Sequence, residues 1–172
     1  MTPPDTYTPI RILFLCTENA ARSQIAEALL HRKGGGRFIV ASAGTKPAEE
    51  IHSETQAALQ THGIRWRSRP KPIEAVIDDP WDLVITLCDR AREECPTLPT
   101  QPVHAHWTTP DPMASPPDAR ALRFADVITL LGRRIDLLIA LPHRSLVSLA
   151  AAQRLRAIAP EAPERELASS GA

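Results

Sequence analysis

A short apolar run, Ile10 to Leu15 (IRILFL), stops abruptly at Cys16, and a helical pattern starts six residues later at Arg22. Apolar residues on both faces of so short a segment read as a strand buried in a parallel sheet. The next segment, Ser23 to Arg32, carries Ile25, Ala26, Leu29 and Leu30 at helical spacing, and Gly34-Gly35-Gly36 ends it. A strand that feeds a helix through a tight loop fixes one edge of an α/β sheet. It also places the loop where such sheets bind ligands, outside the carboxyl ends of the strands.

The pattern repeats downstream. Arg37 to Ser42 predicts a second strand, and Ser53 to His62 a helix capped by Ser53 and stopped by Gly63. Asp82 to Leu87 predicts a third strand and Val103 to Trp107 a shorter fourth. Pro117 to Leu141 reads as one long amphipathic helix with Leu122, Ala125, Ile128, Leu131, Ile135 and Leu138 on one face. Ser145 to Ile158, set off by Pro142, is a further helical segment. Strands that alternate with helices predict an α/β fold, a four-stranded parallel sheet flanked by helices. In this reading residues 10–141 form one domain, behind a flexible lead-in (1–9) and ahead of a C-terminal helical extension and frayed tail (142–172).

Composition narrows the function classes. A chain of 172 residues can bury a core without disulfide staples. Twenty basic and 20 acidic residues cancel, so no whole-chain field draws it to nucleic acid or to an anionic membrane. Any anion affinity must be local. The only cysteines are Cys16, Cys88 and Cys95, too few for a secreted disulfide scaffold, and a reducing cytoplasm is the expected setting. Met1 to Pro9 lacks the basic start and apolar run of a signal peptide. The longest apolar region, Ile135 to Leu141, falls far short of the roughly 20 residues of a membrane span. No cofactor and no metal are expected.

The loop Cys16-Thr17-Glu18-Asn19-Ala20-Ala21-Arg22-Ser23 carries the chemistry. A tight turn here aims the backbone N–H groups of Thr17 to Arg22 inward as an anion nest, and the helix starting at Arg22 adds its positive end. Both favour thiolate over thiol, so the Cys16 pKa is expected to fall. Arg22 offers a planar fork suited to two oxygens of a tetrahedral anion. Ser23 can donate to the thiolate, and Asn19 can brace the loop. A buried structural cysteine beside a helix-starting arginine is the plain alternative, but it does not account for the register of Cys, Arg and Ser on a strand-to-helix junction.

These residues, LFLCTENAARSQIAEALL, resemble the N-terminal signature of low-molecular-weight protein tyrosine phosphatases and of the arsenate reductases that share their fold. The resemblance continues through FIVASAG, TLCDRAREECP and HWTTPDP, and covers roughly Arg11 to Leu141. It implies that Cys16 attacks a bound arsenate or phosphate-type oxyanion in line. It also implies that Asp111, between Pro110 and Pro112, is the general acid for the departing oxygen. A plain turn aspartate is the alternative. In the phosphatases two tyrosines follow this pair. Met113 and Ala114 stand there in this chain, which weakens the phosphatase reading.

Cys88 follows the third strand directly, at the sheet edge that carries Cys16, and six residues separate it from Cys95. A helical segment would hold the two about 10 Å apart, beyond the roughly 7 Å between Cα atoms that a disulfide spans. That suits a redox switch better than a structural bridge, with Arg90 and Arg92 favouring local thiolates. The resemblance implies a relay: Cys88 attacks the Cys16 sulfur and expels arsenite, Cys95 then attacks Cys88, and a thioredoxin- or glutaredoxin-type partner reduces the product. Two alternatives stand beside it, inert buried thiols and a zinc site of Cys88, Cys95, His104 and His106, whose spacing matches no standard zinc pattern. Many relatives carry a cysteine where this chain has Ala21, a position the relay does not use. Some hold potassium beneath the loop. Asn19, Glu27 and Ser42 match that set, but Lys71 stands at the aspartate position, and no potassium is assigned. His52, His62 and His143 read as isolated. A tyrosine phosphatase and a non-catalytic oxyanion-binding module remain the rival functions.

Overall fold

A computed structural model describes residues 8–158. The lead-in through residue 7 and the tail after residue 158 lie outside the described residues. The sheet has four parallel strands, β1 (Ile10–Cys16), β2 (Phe38–Gly44), β3 (Leu83–Thr86) and β4 (Val103–His106), in the order β2-β1-β3-β4. The central strand is apolar on both faces because both are covered. Ile10, Ile12, Phe14 and Cys16 join a core with α1 (Arg22–Lys33), α2 (Ser53–Thr61) and α4 (Arg120–Ala140). Leu13 and Leu15 point the other way, against Trp81, Val84, Leu98 and Ala91 of α3 (Asp89–Glu94). The period-2 alternation of a strand thus divides one sequence between two cores.

Several expected boundaries move. The second strand starts at Phe38, not Arg37, and runs to Gly44, so that its end pairs with Cys16. The glycines end α1 as expected, with Gly34 as its C-cap. Ser53 is the first residue of α2 and not its cap; its hydroxyl donates to Glu54, and His52 holds the cap position. The helix entry is instead tied to the Cys16 loop, because His52 N–H and the Thr55 hydroxyl both donate to the Ala20 carbonyl. The long helix begins with a 3-10 turn at Pro117–Ala119. Its buried face is Phe124, Val127, Ile128, Leu131, Ile135 and Leu138, and Leu122, expected on it, is 64% exposed. Phe124 sets that face, and a residue two positions earlier lies about 200° round the helix.

A fifth helix, α5 (His143–Ile158), packs Leu146 into the α1–α4 core. Arg154 also pairs with Asp82 near β3. An exposed ion pair contributes about 0–1 kcal/mol and a buried leucine about 1.5–3 kcal/mol, so the apolar contact holds this helix more than the charges do. Among the described residues no helix is long and apolar enough to cross a membrane.

Candidate active site

The loop between β1 and α1 is held from behind by Asn19. Its backbone is left-handed, with φ 53°, a conformation asparagine tolerates better than most residues. Its side chain is fully buried, and Nδ2 donates to Ser23 Oγ and to Ser42 Oγ, each at 2.8 Å. Its Oδ1 accepts from the Lys71 N–H at 3.0 Å and from Gln24 Nε2 at 3.2 Å. Gly44 lies so close to the loop that a Cβ there would meet the Thr17 carbonyl at 2.5 Å, so only glycine fits.

Cys16 is 3% exposed, and its Sγ lies 2.8 Å from Ser23 Oγ. Since Asn19 occupies an acceptor position on that oxygen, the Ser23 hydrogen is available to the sulfur, as expected from the sequence. The expected fall in the Cys16 pKa is not met. Burial pushes the thiol up, and the Ser23 hydroxyl, loop N–H groups and Arg22 pull it down without overcoming that cost. Burial thus favours the thiol, and the loop donors favour the thiolate. Alkylation of Cys16 by iodoacetamide should speed up as pH rises through the neutral range. Ser23→Ala, which removes a stabilising hydrogen bond, should shift that profile to higher pH. An unshifted profile would mean that Ser23 does not tune the sulfur.

Cys16, Thr17, Glu18, Ala20, Ala21, Arg22 and Asp111 line one cavity of about 220 Å³. Cys16, its loop and Asp111 thus meet, although Asp111 lies 95 positions after Cys16 in the sequence. A larger depression of about 520 Å³ lies between α1 and α4 and holds none of them. Arg22 donates to the Thr109 carbonyl at 3.0 Å, which links its guanidinium to the loop that carries Asp111. Arg134 of α4 donates to the Thr108 carbonyl at 2.9 Å and steadies that loop. Asp111 accepts from the Met113 N–H at 3.0 Å, so its carboxylate caps a short 3-10 turn. Two further residues line the cavity, His52 and Arg90. His52 is not isolated, since it lies 3.3 Å from Glu18. His52 carries no sequence signal and Arg90 only that of a cation beside the Cys88 and Cys95 thiols; both reach the cavity from elements distant in the chain.

The two other thiols sit at opposite ends of α3. Cys88 caps its N-terminus, accepting from the Ala91 N–H at 3.4 Å, and its Sγ lies 3.3 Å from Thr17 Oγ1 on the Cys16 loop. Cys95 ends the helix, half-buried beside the Pro96 carbonyl, and burial pushes its thiol up. All three cysteines are free. The segment is helical, so Cys88 and Cys95 are separated by seven residue steps of about 1.5 Å, and pairing them requires the helix to open. His106 does not face a zinc ligand set; it bonds Thr86 at 2.7 Å and Asp89 at 3.1 Å. Among the described residues no three His, Cys, Asp or Glu side chains are grouped to hold a metal ion.

Beneath the loop, Ser42 donates to Glu27 at 2.5 Å. Burial pushes the Glu27 carboxyl up, while the Ser42 hydrogen bond and then the Lys71 charge draw it back. Lys71 thus brings a positive charge to the Asn19–Ser42–Glu27 group.

A parallel sheet whose first loop sets a buried cysteine against Ser23 and opens, with Arg22, onto one cavity is the frame of a thiol enzyme. The profile of the low molecular weight phosphotyrosine protein phosphatases matches residues 11–144, and the chain belongs to that family. It is 37% identical over 102 residues to an arsenate reductase of Brevibacillus brevis, covering 59% of this chain and 75% of the relative. It is 30% identical over 132 residues to a glutaredoxin arsenate reductase of a Synechocystis species, covering 76% and 96%. The structure of a thioredoxin-dependent arsenate reductase from Corynebacterium glutamicum superposes with a TM-score of 0.62 at 29% identity, covering 87% of this chain and 65% of that one.

Proposed function

We propose that this chain is an arsenate reductase that works through three thiols in a reducing, cytoplasmic setting. The observation that carries the reading is the position of Cys88, 3.3 Å from Thr17 on the loop of the buried nucleophile and at the head of a helix that ends in Cys95. Hydrolysis of a phosphate ester needs none of this.

The nest from Thr17 to Arg22 holds the non-leaving oxygens of arsenate. Cys16 attacks the arsenic as thiolate after passing its proton to the bound arsenate dianion, and Asp111 protonates the departing hydroxyl, which leaves as water. Cys88, as thiolate, then attacks Cys16 Sγ. A sulfur–sulfur bond forms, the arsenic–sulfur electron pair stays on arsenic, and As(V) leaves as arsenite, As(III). Cys95 attacks Cys88, which restores the Cys16 thiolate and leaves a Cys88–Cys95 disulfide. A dithiol partner of the thioredoxin or glutaredoxin class supplies the two electrons that reopen it. Slow hydrolysis of small aryl phosphates, using Cys16, Arg22 and Asp111 alone, is the expected residual activity.

Arsenite formation with purified thioredoxin or glutaredoxin systems tests the proposal. Sustained turnover with either supports it. Aryl phosphate hydrolysis without arsenite under any reductant would make the chain a phosphatase, and binding without either reaction would leave an oxyanion-binding module.

A further inference from the structure

We infer that Arg90 is a second oxyanion-binding guanidinium, a substrate-recognition residue that α3 contributes from the far side of the cavity. The inference rests on the oxyanion reading of the Cys16 loop. Arg90 lines the cavity that holds Cys16 and Arg22, but it reaches it from a separate element. Its Nε donates to Glu94 Oε1 at 2.9 Å, and its terminal nitrogens make no hydrogen bond among the described residues. Arg90, by that bond and by its charge, holds the exposed Glu94 carboxyl below its ordinary range. One edge of the guanidinium is therefore fixed by a carboxylate while the other is open to a ligand, the arrangement in which a planar fork binds an anion with little further ordering.

Charge balance points the same way. The lining includes two carboxylates, Glu18 and Asp111, and the arginines Arg22 and Arg90. The two guanidinium groups match the two carboxylates in number; without Arg90 the carboxylates would outnumber the guanidinium groups, which disfavours a doubly charged arsenate or phosphate. Arg92, one position beyond Ala91 on the same helix, is not part of the lining and pairs with Asp89 at 3.3 Å. It carries the same charge on the same helix without facing the anion.

Titration of the reduced full-length protein with inorganic phosphate, followed by calorimetry and by protection of Cys16 from iodoacetamide, separates the two. Arg90→Gln should weaken phosphate about tenfold, the size of one charge-assisted hydrogen bond. Arg90→Lys should recover part of the loss, and Arg92→Gln should stay within about twofold of the parent because a solvated charge is screened. Thermal unfolding of each variant reports whether the fold is intact. Equal affinity in Arg90→Gln and the parent, or equal losses in Arg90→Gln and Arg92→Gln, would overturn the assignment of Arg90. A parent that binds no phosphate would overturn this inference together with the oxyanion site. If the expected pattern appears while no reductant yields arsenite, the reductase reading fails and the Arg90 assignment stands.

Discussion

Cys16→Ser should abolish arsenate reduction and aryl phosphate hydrolysis together, each by about 10⁴-fold or more. A serine hydroxyl in this loop cannot ionise near neutral pH, and no other thiol has Ser23 at 2.8 Å or lines the anion cavity. The substitution is nearly isosteric in a pocket where the side chain is 3% exposed, so the fold should survive and phosphate should still bind. Initial rates of both reactions on the same preparation decide the matter. Either activity persisting above a trace would remove Cys16 from the chemistry. Arg22→Lys should cost roughly 10²- to 10³-fold, the scale of a lost oxyanion donor. A point charge cannot hold the Thr109 carbonyl on one edge and an oxyanion on the other.

Cys88→Ser and Cys95→Ser should each reduce multiple-turnover arsenite formation to background and leave aryl phosphate hydrolysis within about two- to threefold of the parent. Cys88→Ser keeps a good helix cap, so the loss is chemical and not structural. The two variants should stall at different points. Cys95→Ser should trap a Cys16–Cys88 disulfide after one turnover, seen by mass as the loss of two hydrogens and a cross-link. Cys88→Ser should form no disulfide. Parent-like cycling of both variants with thioredoxin would rule out the relay and favour a phosphatase.

The sequence makes β1, the loop and α1 legible because their signals are local. IRILFL alternates between two covered faces, and the residues from Cys16 to Ser23 act on groups only a few positions away. Ser23 lies against the Cys16 sulfur, and Asn19 bonds Ser23 within the same loop. What lies outside sequence reasoning is set by packing across the chain. His52 and Arg90 reach the cavity because α2 is tied to Ala20 and α3 follows β3 to the same edge. Thr109, which steadies Arg22, lies 87 residues away from it. Leu122 reads as buried in the sequence because every apolar residue at helical spacing looks alike until Phe124 fixes the orientation. The Cys16 thiol depends on a balance between burial and hydrogen bonding, and a linear sequence shows the donors but not the depth.

The unequal depth of the three thiols has a practical side. Cys16 lies under the loop, whereas Cys88 and Cys95 are only partly covered. Dissolved oxygen and small disulfides in a buffer meet the outer pair first. A preparation kept without reductant should therefore age unevenly, losing two titratable thiols and its single-turnover arsenate reduction in the absence of a dithiol partner, while its aryl phosphate activity and melting curve look fresh. The shelf life of such a sample is read by counting thiols, and a dithiol added before assay, not refolding, restores it.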